Sequence, residues 1–171
     1  MEDLDEPDWH RYCNGETEAL GRIYDRHKDR LFTYCLHVTR QRAASEDIVQ
    51  EVFAKLIAQR TKMIQVVSIK NWLFVCARNL AFNHLSHQKH ETALLNEPWE
   101  TVTYPDPETK RFVQNVLSKL DSDERDLIIL REHQLFSTAD LAGMLGVSEE
   151  AVRVRLYRIR KKMQALAKEW L

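Results

Sequence analysis

The chain has 171 residues, of which 44% are hydrophobic, and a formal net charge of −1. That length holds one medium domain or two small ones, and the apolar content suffices for a core. Four glycines and four prolines disfavour an all-β architecture and point to helices, while three cysteines with no CxxC pair exclude a disulfide scaffold and fit a reduced, cytosolic protein.

In chain order, Met1 to Asp8 holds five acids and no base. This is not a signal peptide, and no run reaches the roughly 18 apolar residues of a membrane span. Glu16 to Val38 places Leu20, Ile23, Tyr24, Leu31, Phe32, Cys35 and Val38 at helical spacing. Ser45 is the expected N-cap of a second helix, with Glu46 and Asp47 in its first turn and Ile48, Val49, Val52, Phe53, Leu56 and Ile57 following. After a loop around Arg60 to Val67, a third helix runs from Ser68 to about His87. It is apolar on most sides, from Trp72 to Leu85, and is expected to lie among the first two.

From Gln88 to Glu108 the pattern fails, with Pro98, Pro105 and Pro107 interrupting it. A stretch of roughly 20 residues without periodicity reads as a linker, long for a connection inside one domain. Helical patterning resumes over Thr109 to Leu120, Ser122 to His133, Thr138 to Leu145 and Glu149 to the end. The expectation is all-α: two small helical domains, 1–87 and 109–171, joined by a flexible acidic linker, 88–108.

Charge is segregated along this frame. Val52 to His90 carries six Lys/Arg and no acid, Glu91 to Thr109 five acids and no base, and Ala151 to Lys168 seven Lys/Arg and no acid. Acid-free basic segments are either polyanion surfaces or solvated helix faces.

The C-terminal stretch "LAGMLGVSEEAVRVRLYRIRKKM" (Leu141 to Met163) has the features of a helix-turn-helix. Ser137 or Thr138 caps the first helix, Gly146 supplies the turn, and Ser148 caps the second with Glu149 and Glu150 at its positive end. At about 100° per residue, Val152, Leu156, Ile159, Met163 and Leu166 fall on one stripe, the core side. Glu150, Val154, Tyr157, Arg158 and Lys161 lie opposite, flanked by Arg153 and Arg160. Arginine can bond guanine bidentately, and Val or Tyr can touch a thymine methyl. Arg155, Arg160 and Lys162 are placed for phosphate.

Two segments of the N-terminal half, "ASEDIVQEVFAKLI" (Ala44 to Ile57) and "NWLFVCARNLAFNHL" (Asn71 to Leu85), resemble bacterial RNA polymerase sigma factors of the small, two-domain extracytoplasmic-function (ECF) group in the sigma-70 family. The C-terminal stretch resembles the same family's DNA-reading region. The resemblance spans roughly 16–87 and 109–168, with order and spacing agreeing.

The resemblance implies that Asp47, Gln50 and Glu51 bind the clamp helices of the polymerase largest subunit. It further implies that the third helix opens and holds the minus-ten element, with Asn79 and Asn83 on non-template bases, and that the last helix reads the minus-thirty-five element. Arg78 and Phe82 share a face, an arrangement suited to single-stranded DNA, although Phe82, like Trp72, also suits core packing. The minus-thirty-five set is Ser148, Arg153, Val154, Arg155, Tyr157 and Arg158. Core polymerase (clamp helices and flap) and promoter DNA are the expected partners, together with an anti-sigma factor; no cofactor is expected.

Two departures from the family stand out. "SHQKH" (Ser86 to His90) replaces an arginine-rich run, and the loop from Arg60 to Asn71 lacks the usual aromatics. His84, His87 and His90 are spaced by three, but nothing completes a metal set, and no catalytic motif is present. The rival readings are a stand-alone helix-turn-helix regulator whose N-terminal domain dimerises or senses a signal, and an adaptor that retains the fold to sequester a regulator.

Overall fold

The computed structural model describes residues 4–61, 68–88 and 106–170. No strand occurs among them; they form α1 (Asp5–Cys13), α2 (Thr17–Thr39), α3 (Arg42–Ala58), α4 (Ile69–Gln88), α5 (Pro107–Ser118), α6 (Ser122–Ile128), a π-helical turn (Ile129–His133), α7 (Thr138–Leu145) and α8 (Glu149–Trp170). The chain divides into two compact units, Met1–Glu97 and Pro98–Leu171. Residues 89–105, most of the expected linker, lie outside the described set.

In the first unit α2 packs against α1, α3 and α4, and α3 against α4. The core is Ile23, Leu31, Tyr34 and Cys35 from α2, Val52 and Leu56 from α3, and Leu73, Phe74, Ala77 and Ala81 from α4, with Trp9 of α1 beside them. The helical spacing of these residues is what turns one face of each helix inward.

Helix α1 departs from the sequence reading, which took its residues only as an acidic strip. Its acids are not solvated: Asp5 and Asp8 are buried. Asp5 accepts from Arg26 at 2.9 Å and faces His27 Nε2 at 2.6 Å. Asp8 pairs with Arg22 at 2.9 Å and Arg26 at 2.8 Å. The acids sit near the N-terminus of α1, where they also favour the helix dipole. Trp9 and Tyr12, three residues apart, supply its apolar face.

Ser45 is not the N-cap of α3. The helix begins at Arg42, after Gln41 in an extended conformation. Ser45 is fully buried within the first turn; its hydroxyl donates to the Gln41 carbonyl at 2.7 Å and lies 3.0 Å from Thr39 Oγ1. Pro107 was read as an interruption, but it occupies the first turn of α5. There its missing N–H costs nothing, and Asp106 caps the helix by accepting from Thr109 N–H at 2.7 Å.

The segment Ser122 to His133 is not one α-helix either. After Ile128 it widens into the π-helical turn, which closes at Leu135 with a left-handed φ of 57°. Capping boxes at Asp121/Glu124 and Ser137/Asp140 fix the starts of α6 and α7.

Candidate nucleic-acid interface

On α3 the side chains divide cleanly. Ile48, Val49, Val52, Phe53 and Leu56 are buried, whereas Asp47, Gln50 and Glu51 are exposed on the opposite side. Glu51 pairs with Lys55 one turn on, at 3.0 Å. Ile57, the last apolar residue of the helical pattern, is 48% exposed. Seven residues after Gln50, it stands on the same side. Tyr24, one of the apolar residues at helical spacing in α2, is exposed and meets Phe53 edge-on at 4.8 Å. Apolar spacing left both open, because an apolar residue beside a core stripe carries no mark of which side of the boundary it takes.

On α4, Asn79 and Asn83 are exposed one turn apart. The Arg78 guanidinium lies over the Phe82 ring, 4.6 Å from its centre, and both residues are half-buried. Phe82 is therefore neither a core residue nor a free stacking plane: one ring face carries the arginine. Trp72, two turns before Asn79, is also half-buried.

Three basic residues between Val52 and His90 differ in their surroundings. Arg60 stacks on Tyr12 at 4.7 Å and donates to the Cys13 carbonyl at 3.0 Å, which ties it to α1. His84 Nε2 meets Gln41 Oε1 at 3.2 Å, while His87 is exposed. His90 and residues 62–67 of the preceding loop lie outside the described residues. Among those described, no group of three metal-ligating side chains occurs.

In the second unit, α7 ends at Gly146 with φ 65°, and its N–H returns to the Ala142 carbonyl. Only glycine takes this backbone without a Cβ penalty. Ser148 Oγ accepts from Ala151 N–H at 3.2 Å, capping α8. Val152, Leu156 and Ile159 are buried, and Met163 and Leu166 half-buried, so the core stripe is as expected. Arg153, Val154, Arg155, Tyr157 and Arg158 are exposed; Tyr157 is 62% exposed and has Lys161 Nζ 5.7 Å from its ring centre.

Three described cations of α8 pair with acids of the same unit. Arg153 pairs with Glu149 at 3.2 Å and with Glu150 at 2.9 Å. Arg160 pairs with Glu132, and Lys162 with Glu124. The last two were expected on phosphates; their acids come from the π-helical turn and α6, a proximity that only the fold creates. No helix among the described residues is long and apolar enough to cross a membrane.

Both halves of the chain match known protein families. The Sigma-70 region 2 family matches residues 23–91, and Sigma-70 region 4 matches residues 113–163. The RNA polymerase sigma factor CarQ of Myxococcus xanthus is 26% identical over 166 residues, 93% of this chain and 95% of CarQ. The probable RNA polymerase sigma factor RfaY of Xanthomonas campestris is 32% identical over 85% of this chain, which spans 40% of RfaY. Among solved structures, CnrH in complex with the cytosolic domain of CnrY shares the fold with a TM-score of 0.76 at 23% identity, covering 98% of this chain and 99% of that one. The sigma factor RpoE of Bartonella quintana, in complex with the anti-sigma factor NepR, has a TM-score of 0.66 at 24% identity, over 81% and 90% of the two chains. With both conserved regions present in order on an all-α, two-unit fold, the chain belongs to the sigma-70 family as an ECF sigma factor, a non-enzymatic subunit that directs promoter-specific transcription by RNA polymerase.

Proposed function

We propose a division of labour between the two units. The first (1–87) docks on core polymerase through Asp47, Gln50 and Glu51 of α3, engaging the clamp helices of the largest subunit, with Ile57 and Tyr24 as the apolar border of that contact. The same unit melts and holds the minus-ten element on α4, where Asn79 and Asn83 bond exposed base edges and the Arg78–Phe82 pair meets the single strand. The second unit (109–171) places α8 in the major groove at the minus-thirty-five element, with Arg153, Val154, Tyr157 and Arg158 facing bases and Ser148 and Arg155 facing the backbone. It also meets the polymerase flap, and the segment 88–108 serves as the tether.

One observation carries this reading. A row of exposed polar groups on α3 and a pair of exposed asparagines beside a cation–aromatic stack on α4 occur in a single small unit. On this reading, polymerase contact and strand capture share one compact unit. Run-off transcription with purified core polymerase and a promoter library tests it. Specific starts that vanish with Asp47→Ala/Glu51→Ala or with Asn79→Ala/Asn83→Ala support the reading. Specific, palindromic DNA binding without polymerase would replace it with a stand-alone regulator.

We further propose that the protein works in the cytoplasm and is held there by an anti-sigma partner. RpoE of Bartonella quintana, a fold relative, is known bound to NepR. Co-purification from the native cell checks this: recovery with polymerase alone, under both resting and stressed growth, counts against an inhibitor.

A further inference from the structure

The first turn of α8 holds a contact that the reading above does not use. Arg153, the first candidate base reader, is bridged by two acids of its own helix, Glu149 at 3.2 Å and Glu150 at 2.9 Å. The two acids are not equivalent. At about 100° per residue, Glu149 falls near the core-side edge of the helix. Glu150 falls on the outward line with Val154, Tyr157 and Lys161, spaced i, i+4, i+7, i+11. Its side chain is 73% exposed. Any docking that brings Val154 and Tyr157 to the floor of the major groove brings Glu150 with them.

An ionised carboxylate only accepts hydrogen bonds. Guanine O6 and N7, thymine O4 and every phosphate oxygen are acceptors too, and repel it. The donors on the groove floor are the exocyclic amines, cytosine N4 and adenine N6. Arg153 has the complementary need: its fork matches guanine O6 and N7. While Glu150 holds that fork, both groups satisfy each other. On DNA each must find a replacement, or share the other with a base.

We propose that Glu150 is a specificity-determining residue of the promoter-reading helix. Its carboxylate accepts from the amine of a cytosine or adenine, and Arg153, retained at its outer edge by Glu149, takes a guanine at the same or an adjacent base pair. At sites lacking that amine, the carboxylate stays on Arg153 and repels the groove. Glu150 thereby sharpens selection for a guanine accompanied by an amine-bearing base, and lowers affinity for every other sequence. This inference rests on the placement of α8 in the groove proposed above.

The test uses holoenzyme assembled from the full chain and core polymerase, transcribing from a library randomised across the minus-thirty-five element, with sequencing of the transcribed templates. The unsubstituted protein should show a preference for cytosine or adenine at one position beside a preferred guanine. Glu150→Ala should reduce the amine preference roughly tenfold, the size of one lost base contact, and leave the other positions intact. Arg153→Ala should flatten the guanine position. Glu149→Gln should leave the amine position unchanged, because Glu149 only steadies Arg153. These side chains are exposed, so folding is kept, which circular dichroism of each variant checks. An Arg153→Ala effect with no change on Glu150→Ala overturns the role of Glu150. Equal loss with Glu149→Gln and Glu150→Ala also overturns it, reducing both acids to positioning groups. No change with either Arg153→Ala or Glu150→Ala overturns the groove placement of α8 itself.

Discussion

At the scale of single residues, the most consequential contacts lie where the sequence looks least structured. Asp5 and Asp8 fall in an acidic stretch that composition alone assigns to solvent. Both are buried. Burial pushes their carboxyls up, but hydrogen bonds and charge from His27 and Arg26 on Asp5, and from Arg22 and Arg26 on Asp8, outweigh it and hold both below the ordinary 3.8. A depressed carboxylate contributes stability that is present above the unfolded value and lost as pH falls through the folded one. The clasp of α1 on α2 is therefore complete at neutral pH and weakens only below about pH 4. Asp8→Asn should cost about 1–3 kcal/mol in urea unfolding. That is less than for a fully buried pair, because Arg22 and Arg26 keep solvent contact. The variant should also lose part of the acid dependence of the midpoint. An opposite case is Leu135, 75% exposed at φ 57°. An L-residue in this conformation costs about 1–2 kcal/mol, so Leu135→Gly should raise stability by about 0.5–1 kcal/mol after the extra chain entropy of glycine. A thermal melt shows the sign directly.

At the scale of elements, legibility in the sequence followed the number of core contacts. The cores of α2, α3, α4 and α8 were visible because each buries a stripe repeated over several turns. The capping residues of α7 and α8 were visible because Ser137 and Ser148 act within three residues of themselves. What escaped depends on pairing across the chain. Helix α1 is held by residues 14 to 22 positions away. Ser45 is a serine before acids, the pattern of a cap, but its partner Thr39 draws it into the interior. The π-helical turn has no periodicity of its own. For the interfaces, the exposed sets on α3, α4 and α8 could be read from helical facing, whereas the ion pairs of Arg160 and Lys162 could not, because Glu132 and Glu124 lie 28 and 38 residues away. Caps offer a clean test of element strength. Ser137→Ala removes the hydroxyl that accepts from Asp140 N–H, while the backbone N–H of residue 137 still donates to the Asp140 carboxylate, and should cost about 1 kcal/mol. The α3 face offers the converse. Asp47, Gln50 and Glu51 are exposed and touch no core group, so alanine at all three should leave the melting temperature nearly unchanged while weakening capture of core polymerase in a pull-down.

At the scale of the whole molecule, a net charge of −1 and a cationic reading helix are reconciled by where the acids sit. Glu149 and Glu150 occupy Arg153, Glu132 occupies Arg160, and Glu124 occupies Lys162. Among the described residues of α8, Arg155, Arg158 and, near the C-terminal end, Lys168 are left without an acidic partner, and Lys161 lies against Tyr157. A helix that neutralises about three phosphates has a slope of log affinity against log salt near −3, far shallower than that of a fully basic reader. Free protein should therefore bind a minus-thirty-five duplex weakly, because two small contacts pay only when joined. Core polymerase joins them: once the first unit is docked, the second searches the promoter at an effective concentration set by the segment between the units. Fluorescence anisotropy on one labelled promoter, with and without core enzyme and across a salt series, measures both quantities. The expected outcome is weak, shallow-slope binding by the free chain and binding at least a hundredfold tighter (roughly the lower bound for two linked modules) in the holoenzyme. Glu124→Ala with Glu132→Ala should release Lys162 and Arg160, steepen the free-chain slope by up to about two, and tighten binding to all sequences alike. A slope that stays unchanged in that double variant would show that those two cations never reach phosphate, and that the weakness of the free chain has another origin.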